Sequence, residues 1–364
     1  MELKDVLSMK KGDGENSYLK HSLYTQKVAA LTMPLVDTVT QSLFKSPDLF
    51  PCEVLNIADL GCATGPNTFL VMSTVLQSIA NKTDELKLKI PEIQFYLNDL
   101  PANDFNTLFK GISVFRQQYE GQFSCFFTAV PGSFHGRLFS RHSLHLVHSS
   151  YSVHWLSKAP RIVSEEGFPL NRGNLYISKT SPSVVREAYL SHFQEDFSSF
   201  LKSRSPELVP GGLMLLILHG RESEDPLCKH SCYTMGLLSE AIAELVKQGL
   251  IKEEKLDDFN VPYYTPWQEE VREVVEKEGS FTTVYLDTVT IETGGKNVFP
   301  SPEVRAKGIR VFTEPMMSQQ FGAEVMDMLY SKVEQMVVED FKHERESKKG
   351  ISVVVALRKK KGIL

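Results

Sequence analysis

Two carboxylates stand at the ends of apolar runs in this chain. Asp59 follows Asn56-Ile57-Ala58, and Asp99 closes Ile93-Gln94-Phe95-Tyr96-Leu97-Asn98. An acid at the carboxyl end of a strand is where open α/β sheets hold their ligands, and it is suited to accepting hydroxyl groups of a ribose. Directly after Asp59 come Leu60-Gly61-Cys62-Ala63-Thr64-Gly65-Pro66-Asn67-Thr68, a glycine turn feeding a helix. Gly61 and Gly65 permit positive φ and close approach of a ligand to the backbone. A nucleoside-bearing cofactor is the chemistry these residues offer.

The spacing narrows which cofactor. A dinucleotide site reads Gly-x-Gly-x-x-Gly with an acid about 20 residues on. Here Ala63 stands at the second glycine position and Asp99 comes much later. An Asp-Leu-Gly-x-x-x-Gly turn followed by an acid-ended strand fits S-adenosylmethionine, which has no pyrophosphate to place on a helix N-terminus. Other motifs fail. Gly132-Ser133-Phe134-His135-Gly136 misses the nucleophile-elbow spacing, and Cys228, His230 and Cys232 lack a second ligand pair at zinc spacing. Among His135, His142, His145, His148 and His154, the alternation with apolar residues fits strand and turn positions, as packing or hydrogen-bonding histidines. Only His154, beside Trp155 after a strand end, is placed to line a pocket.

The elements that must position these groups follow from periodicity. Apolar runs at 55–60, 93–99, 123–130, 143–149 and 213–219 predict strands alternating with helices at 67–80 and 183–201. Beyond Gly220 the pattern predicts helices over 234–248, 268–278 and 319–343, strands over 281–291 and 351–357, and a loop over 293–306. The order suits a seven-stranded, doubly wound, Rossmann-like α/β sheet with an α-helical cap over the carboxyl ends of its strands. The expected division is an N-terminal segment (1–50) closing over the site, a cofactor-binding core (51–225), a helical cap (226–278), and remaining core strands with a second cap segment (279–364).

Composition bounds the partners. The 364 residues are 42% hydrophobic and 23% charged, with a net charge of −5, which argues against nucleic acid as the main partner. No apolar run approaches the roughly 18 residues of a membrane span, and the N-terminus carries no apolar signal region. The odd cysteine number fits a reducing, cytoplasmic setting.

With these residues in view, the chain resembles the plant SABATH-type S-adenosylmethionine-dependent methyltransferases. The resemblance runs through ordered blocks: Gly14-Glu15-Asn16-Ser17-Tyr18, Ala58–Asn67, Leu97–Leu100, Val130–Phe134, His148–Leu156 and Lys255–Asn260. It implies cofactor contacts from Tyr18, Cys62, Asn67, Asp99, Leu100, Ser133 and Phe134, with Asp59 orienting the turn or the methionine amino group. It also implies a homodimer, and a magnesium ion near Asn171, Asp257, Phe259 and Asn260. The bland alternative for those last residues is a turn before Pro262.

For the acceptor, the resemblance implies a choice within the family. Salicylate-type carboxyl methyltransferases use a first-helix glutamine and the tryptophan of the Tyr-Ser-x-x-Trp block to hold a carboxylate. Trp155 is present, but Thr25 stands at the glutamine position, and Gln26 lies about 100° around the helix. Losing an amide donor at a desolvated carboxylate costs about 1–3 kcal/mol. Thr25, His154, the run Pro131–Phe139 and the block Tyr176–Leu190 are similar instead to the xanthine-alkaloid N-methyltransferases. The expected substrate contacts are Tyr18, Thr25, Tyr151, His154, Trp155 and His219, with His154 and Trp155 at the reaction centre. His154 is either an orienting group or the acceptor of the ring-nitrogen proton. The alternatives are a benzoate- or salicylate-type O-methyltransferase and a non-catalytic cofactor-binding protein.

Overall fold

The computed structural model describes residues 21–46, 49–227, 232–293, 298–343 and 349–361. Seven strands form one sheet: β1 (Val54–Leu60), β2 (Glu92–Asp99), β3 (Cys125–Pro131), β4 (Leu144–Ser150), β5 (Leu208–Gly220), β6 (Phe281–Glu292) and β7 (Lys349–Lys359). Their order is β3-β2-β1-β4-β5-β7-β6. The first five are parallel, and β7 runs antiparallel to both β5 and β6. β1 pairs with β2 on one side and β4 on the other, so the winding reverses beside it. Ligands of open α/β sheets bind in the crevice at such a reversal.

Central strands are buried on both faces, which is why they read as continuous apolar runs. In β5, Leu213, Leu215 and Ile217 join one core cluster, and Met214, Leu216 and Leu218 join the cluster on the opposite face. The helices α1 (Leu23–Leu43), α2 (Pro66–Leu86) and α3 (Phe105–Gln118) contribute to the first of these. The second is covered by α4 (Ser183–Glu207), α5 (Tyr233–Lys247), α6 (Glu253–Asp257), α7 (Gln268–Glu278), α8 (Pro302–Phe321) and α9 (Met326–His343). Beyond β5, helices α5 to α9 all lie in this second layer.

All seven strands stand where the apolar runs predict them, and β5 begins earlier, at Leu208. The helix boundaries depart more. α8 starts at Pro302, inside the stretch expected to be loop, because Ser301 accepts from Val304 N at 3.4 Å as an N-cap and proline suits the first helical position. The predicted helix over 319–343 is broken at Gly322, whose φ is +105°. L side chains rarely adopt that φ, so glycine suits the break.

Candidate active site

The carboxyl edge of β1, β2 and β3 is knitted by hydrogen bonds around the glycine turn. Gly61 N and Cys62 N donate to Asn98 O at 2.8 and 3.0 Å, and Gly132 N donates to Asp99 O at 2.9 Å. Asp99 accepts from Ala63 N at 2.8 Å through one carboxylate oxygen and from Leu100 N at 2.7 Å through the other. A carboxylate has about four acceptor sites, so two remain for a ligand's hydroxyls. Although Asp99 keeps part of its surface open, the loss of hydration around it raises its carboxyl to about 6, against opposing help from the two N–H groups. The close approach expected at the turn is real. Gly61 has φ +82°, and a Cβ on it would lie 1.9 Å from Ser152 Oγ.

Asp59 is buried beneath this turn and both its oxygens are engaged. One pairs with His148 Nδ1 at 2.7 Å and the other accepts from Thr68 Oγ1 at 2.7 Å. Thr68 Oγ1 also reaches Cys62 O at 2.9 Å, so Asp59 orients the turn through the first turn of α2. His148, expected to be a packing or hydrogen-bonding histidine, is the acid's partner, and it lines a small cavity with Asp59, Cys62 and Asn67.

A second cavity, of about 200 Å³, is lined by residues of α1, the segment after β4, α5 and α8. A cavity of about 150 Å³ already holds benzene, so this one is roomy enough for a flat aromatic acceptor. Thr25, Tyr151, His154, Trp155 and His219 all line it. Thr25 and Tyr151 line both cavities and form their shared wall. Asn67 Nδ2 donates to Thr25 Oγ1 at 3.2 Å, and Thr25 Oγ1 donates to Ser22 O at 2.9 Å. Gln26 turns its amide to Ser22 Oγ at 3.1 Å and lines neither cavity.

The walls of the larger cavity are aromatic. Trp155 and Tyr263 meet edge-on at 5.0 Å, His154 and Tyr263 at 5.1 Å, and Tyr151 stacks on His219 at 5.8 Å. A short antiparallel bridge between Trp155 and Tyr263 fixes the block, with Tyr264 N donating to His154 O at 2.9 Å. Tyr151 adopts φ +57°, a conformation uncommon for a bulky residue and found where the surroundings over-determine the backbone. Its hydroxyl donates to Tyr24 Oη at 3.0 Å and so accepts from Ser352 Oγ at 2.7 Å.

His219 N donates to His154 Nδ1 at 3.0 Å, which places the neutral ring's proton on Nε2. Burial, and then the neighbouring His219, hold the His154 imidazole well below its ordinary value, and burial lowers His219 to about 4. His219 Nδ1 is itself paired with the Tyr263 hydroxyl.

Some expected residues fall elsewhere. Tyr18, like Cys228 and His230, lies outside the described residues. Leu100, Ser133 and Phe134 flank the Asp99 edge and line neither cavity. Asn171, Asp257, Phe259 and Asn260 are buried, and each side-chain oxygen among them carries a donor. Asp257 accepts from Arg172 Nε and Gly173 N, both at 2.8 Å, Asn260 Oδ1 accepts from Asn171 Nδ2 at 2.8 Å, and Asn171 Oδ1 accepts from Ser181 Oγ at 2.6 Å. Arg172 Nε and Gly173 N fill two of the about four acceptor sites of Asp257, and a cation there would compete with those donors, so the contacts do not support a magnesium ion. Among the described residues no group of three or more His, Cys, Asp or Glu could hold a metal.

Sequence reasoning missed Tyr24, Tyr233, Tyr263, Phe299 and Arg305, which also line the larger cavity. Tyr24 adjoins Thr25 and was within reach of a helical-face argument. The others come from segments whose approach to the site depends on the tertiary fold.

The sheet order and the glycine-turn edge define an S-adenosylmethionine-dependent methyltransferase of the class I type. The chain belongs to the SAM-dependent carboxyl methyltransferase family, whose model matches residues 4–360. A solved structure of loganic acid methyltransferase with S-adenosylhomocysteine superposes with a TM-score of 0.88 at 32% identity, covering 98% of this chain and 99% of that one. A Theobroma cacao protein named "Probable 7-methylxanthine methyltransferase 3" is 59% identical, covering 99% of this chain and 98% of its own length. A 3,7-dimethylxanthine N-methyltransferase of Camellia sinensis var. assamica is 52% identical, covering 98% of this chain and 97% of its own. Among the described residues no helix is long and apolar enough to cross a membrane.

Proposed function

We propose that this chain methylates a ring nitrogen of a xanthine or methylxanthine, on the route to theobromine or caffeine. The observation that carries the reading is full-length likeness to proteins named as xanthine methyltransferases, at 52–59% identity, joined to a flat aromatic cavity with neutral histidines. A benzoate- or salicylate-type acceptor is disfavoured at Thr25, whose hydroxyl is committed to Ser22 O and Asn67 rather than offering an amide to a carboxylate.

S-adenosylmethionine supplies an activated methyl on a sulfonium, so no covalent intermediate with the enzyme is needed. The chain's contribution is alignment and electrostatics. Asp99 receives the ribose hydroxyls, Ser133 and Phe134 the adenine, and Cys62, Asn67 and Leu100 close the contact. Tyr18 belongs to the same set. Tyr151, Trp155 and Tyr263 pack against the acceptor.

His154 acts as an orienting donor. Its Nδ1 lone pair is taken by His219 N, so Nε2–H is the group left for an acceptor carbonyl. Taking a second proton at Nδ1 would break that bond, in a site that already resists charge. The ring-nitrogen proton therefore leaves to solvent. Tyr151 donates to Tyr24, which leaves the Tyr24 hydroxyl proton for a second acceptor oxygen. A homodimer in the cytoplasm completes the proposal, and sedimentation velocity measures the first part.

The test is incubation with methyl-labelled cofactor and a panel of xanthine, methylxanthines, benzoate, salicylate and jasmonate. Label in methylxanthine products is expected. Label confined to methyl esters overturns the N-methyl reading.

A further inference from the structure

Ser133 and Phe134 stand on an irregular stretch, 132–139, tied to β2 at Gly132 and to the last turn of α4 from Phe134 to Phe139. Arg204 Nη1 donates to Phe134 O at 2.8 Å and Nη2 to Gly136 O at 2.7 Å. Ser203 Oγ donates to His135 O at 3.4 Å. Glu207 Oε1 accepts from Leu138 N at 2.7 Å and Phe139 N at 3.1 Å. The two charged residues also grip each other, with Arg204 Nε 2.6 Å from Glu207 Oε2 and Nη2 3.0 Å from Oε1. Both side chains are wholly buried, and Arg137 adds a second cation 3.3 Å from Glu207.

An apolar pair of similar volume would often be as stable as a buried ion pair, so stability alone is weak grounds for this one. What the pair supplies is geometry: a rigid fork of donors and a carboxylate reading successive backbone groups of one loop. The aromatic ring on that loop is held from the same helix turn. Phe200 meets Phe134 edge-on at 5.8 Å, and the Arg204 guanidinium lies 5.3 Å over Phe200.

We infer that Arg204 and Glu207 are positioning residues for the cofactor, setting the loop that presents Ser133 and Phe134 to the adenine ring. The inference rests on reading Ser133 and Phe134 as adenine contacts, and α4 is then the element that fixes affinity for the adenosyl half.

Full-length Glu207→Gln, Arg204→Lys and Phe134→Ala are compared with wild type in S-adenosylhomocysteine titration calorimetry and in steady-state kinetics. Glu207→Gln is expected to raise the dissociation constant and the cofactor KM about tenfold. The kcat, and the acceptor KM at saturating cofactor, stay within twofold. Arg204→Lys keeps the charge but cannot span both carbonyls, and is expected to show an intermediate shift. Glu270→Gln, which breaks the separate buried pair of Arg221 and Glu270, is the control: it lowers the melting temperature and leaves the cofactor KM unchanged. If Glu207→Gln and Arg204→Lys lower only the melting temperature while Phe134→Ala weakens cofactor binding, the positioning role is overturned. If Phe134→Ala leaves binding unchanged, the adenine assignment of the loop falls, and the inference with it.

Discussion

The backbone N–H of His219 donates to Nδ1 of His154 across 3.0 Å. One main-chain group of β5 thereby decides what a side chain after β4 can do. With Nδ1 occupied, the neutral imidazole presents Nε2–H to the acceptor cavity and has no free lone pair with which to take a proton.

The first prediction follows from that bond. Burial keeps His154 well below its ordinary value and His219 near 4, so both stay neutral from pH 6 to 9. The pH profile of kcat/KM for the acceptor is expected to lack a histidine step in that range. His154→Ala should lower kcat/KM about 5- to 150-fold, the worth of a buried donor at about 1–3 kcal/mol. A step with a midpoint between pH 6 and 7 that vanishes in His154→Asn would restore the base role.

The second concerns the shared wall of the two cavities. Asn67 on the cofactor side holds Thr25 on the acceptor side at 3.2 Å. Thr25→Ala and Asn67→Ala should each weaken cofactor and acceptor binding severalfold. Because they remove the same bond, the double variant should lose less than the sum by about 0.5–1.5 kcal/mol. Full additivity in the double-mutant cycle would show that the bond couples nothing.

Asp99 gives the third. Its carboxyl sits at about 6 in the fold against an ordinary 3.8. Its contribution to folding is therefore greatest at acid pH and is lost as pH rises through 6. Cofactor binding runs the opposite way, because the ionised form accepts the ribose hydroxyls. The cofactor KM should rise as pH falls from 7 to 5, with the acceptor KM nearly flat. A pH-independent cofactor KM over that range, measured beside a stability check, contradicts this.

The glycine turn gives the fourth. At Gly61 a side chain meets both a φ of +82° and Ser152 Oγ at 1.9 Å. Gly61→Ala should cost more than the roughly 1 kcal/mol of an unfavourable φ alone, and Gly61→Ala with Ser152→Gly should recover part of the difference. Urea unfolding of both variants reads the two contributions.

Much of this molecule was legible before any coordinates. The strands were, because central strands buried on both faces demand continuous apolar runs, an edge strand such as β6 alternates, and either pattern is local. The glycine turn and Asp99 were, because positive φ and strand-end acids leave marks within a few residues. The broken helix at Gly322 and the early start at Ser301-Pro302 carry local marks too, but weak ones that a periodicity argument passes over.

What the chain's order of residues could not decide was the state and company of the acceptor site. Thr25 could be placed opposite a missing glutamine, yet not seen to be held by Asn67. His154 could be nominated as donor or base, but its tautomer depends on a backbone N–H 65 positions away. Tyr151 reaches Tyr24 across 127 positions and Ser352 across 201. Such partners meet only because β5, β7 and the first helix converge at one edge of the sheet. Local sequence specifies backbone conformation and burial pattern, and so it determined the fold and the glycine turn at its carboxyl edge. Hydrogen-bond direction and the shape of the acceptor cavity are properties of groups brought together from distant segments, and these the tertiary structure alone decided.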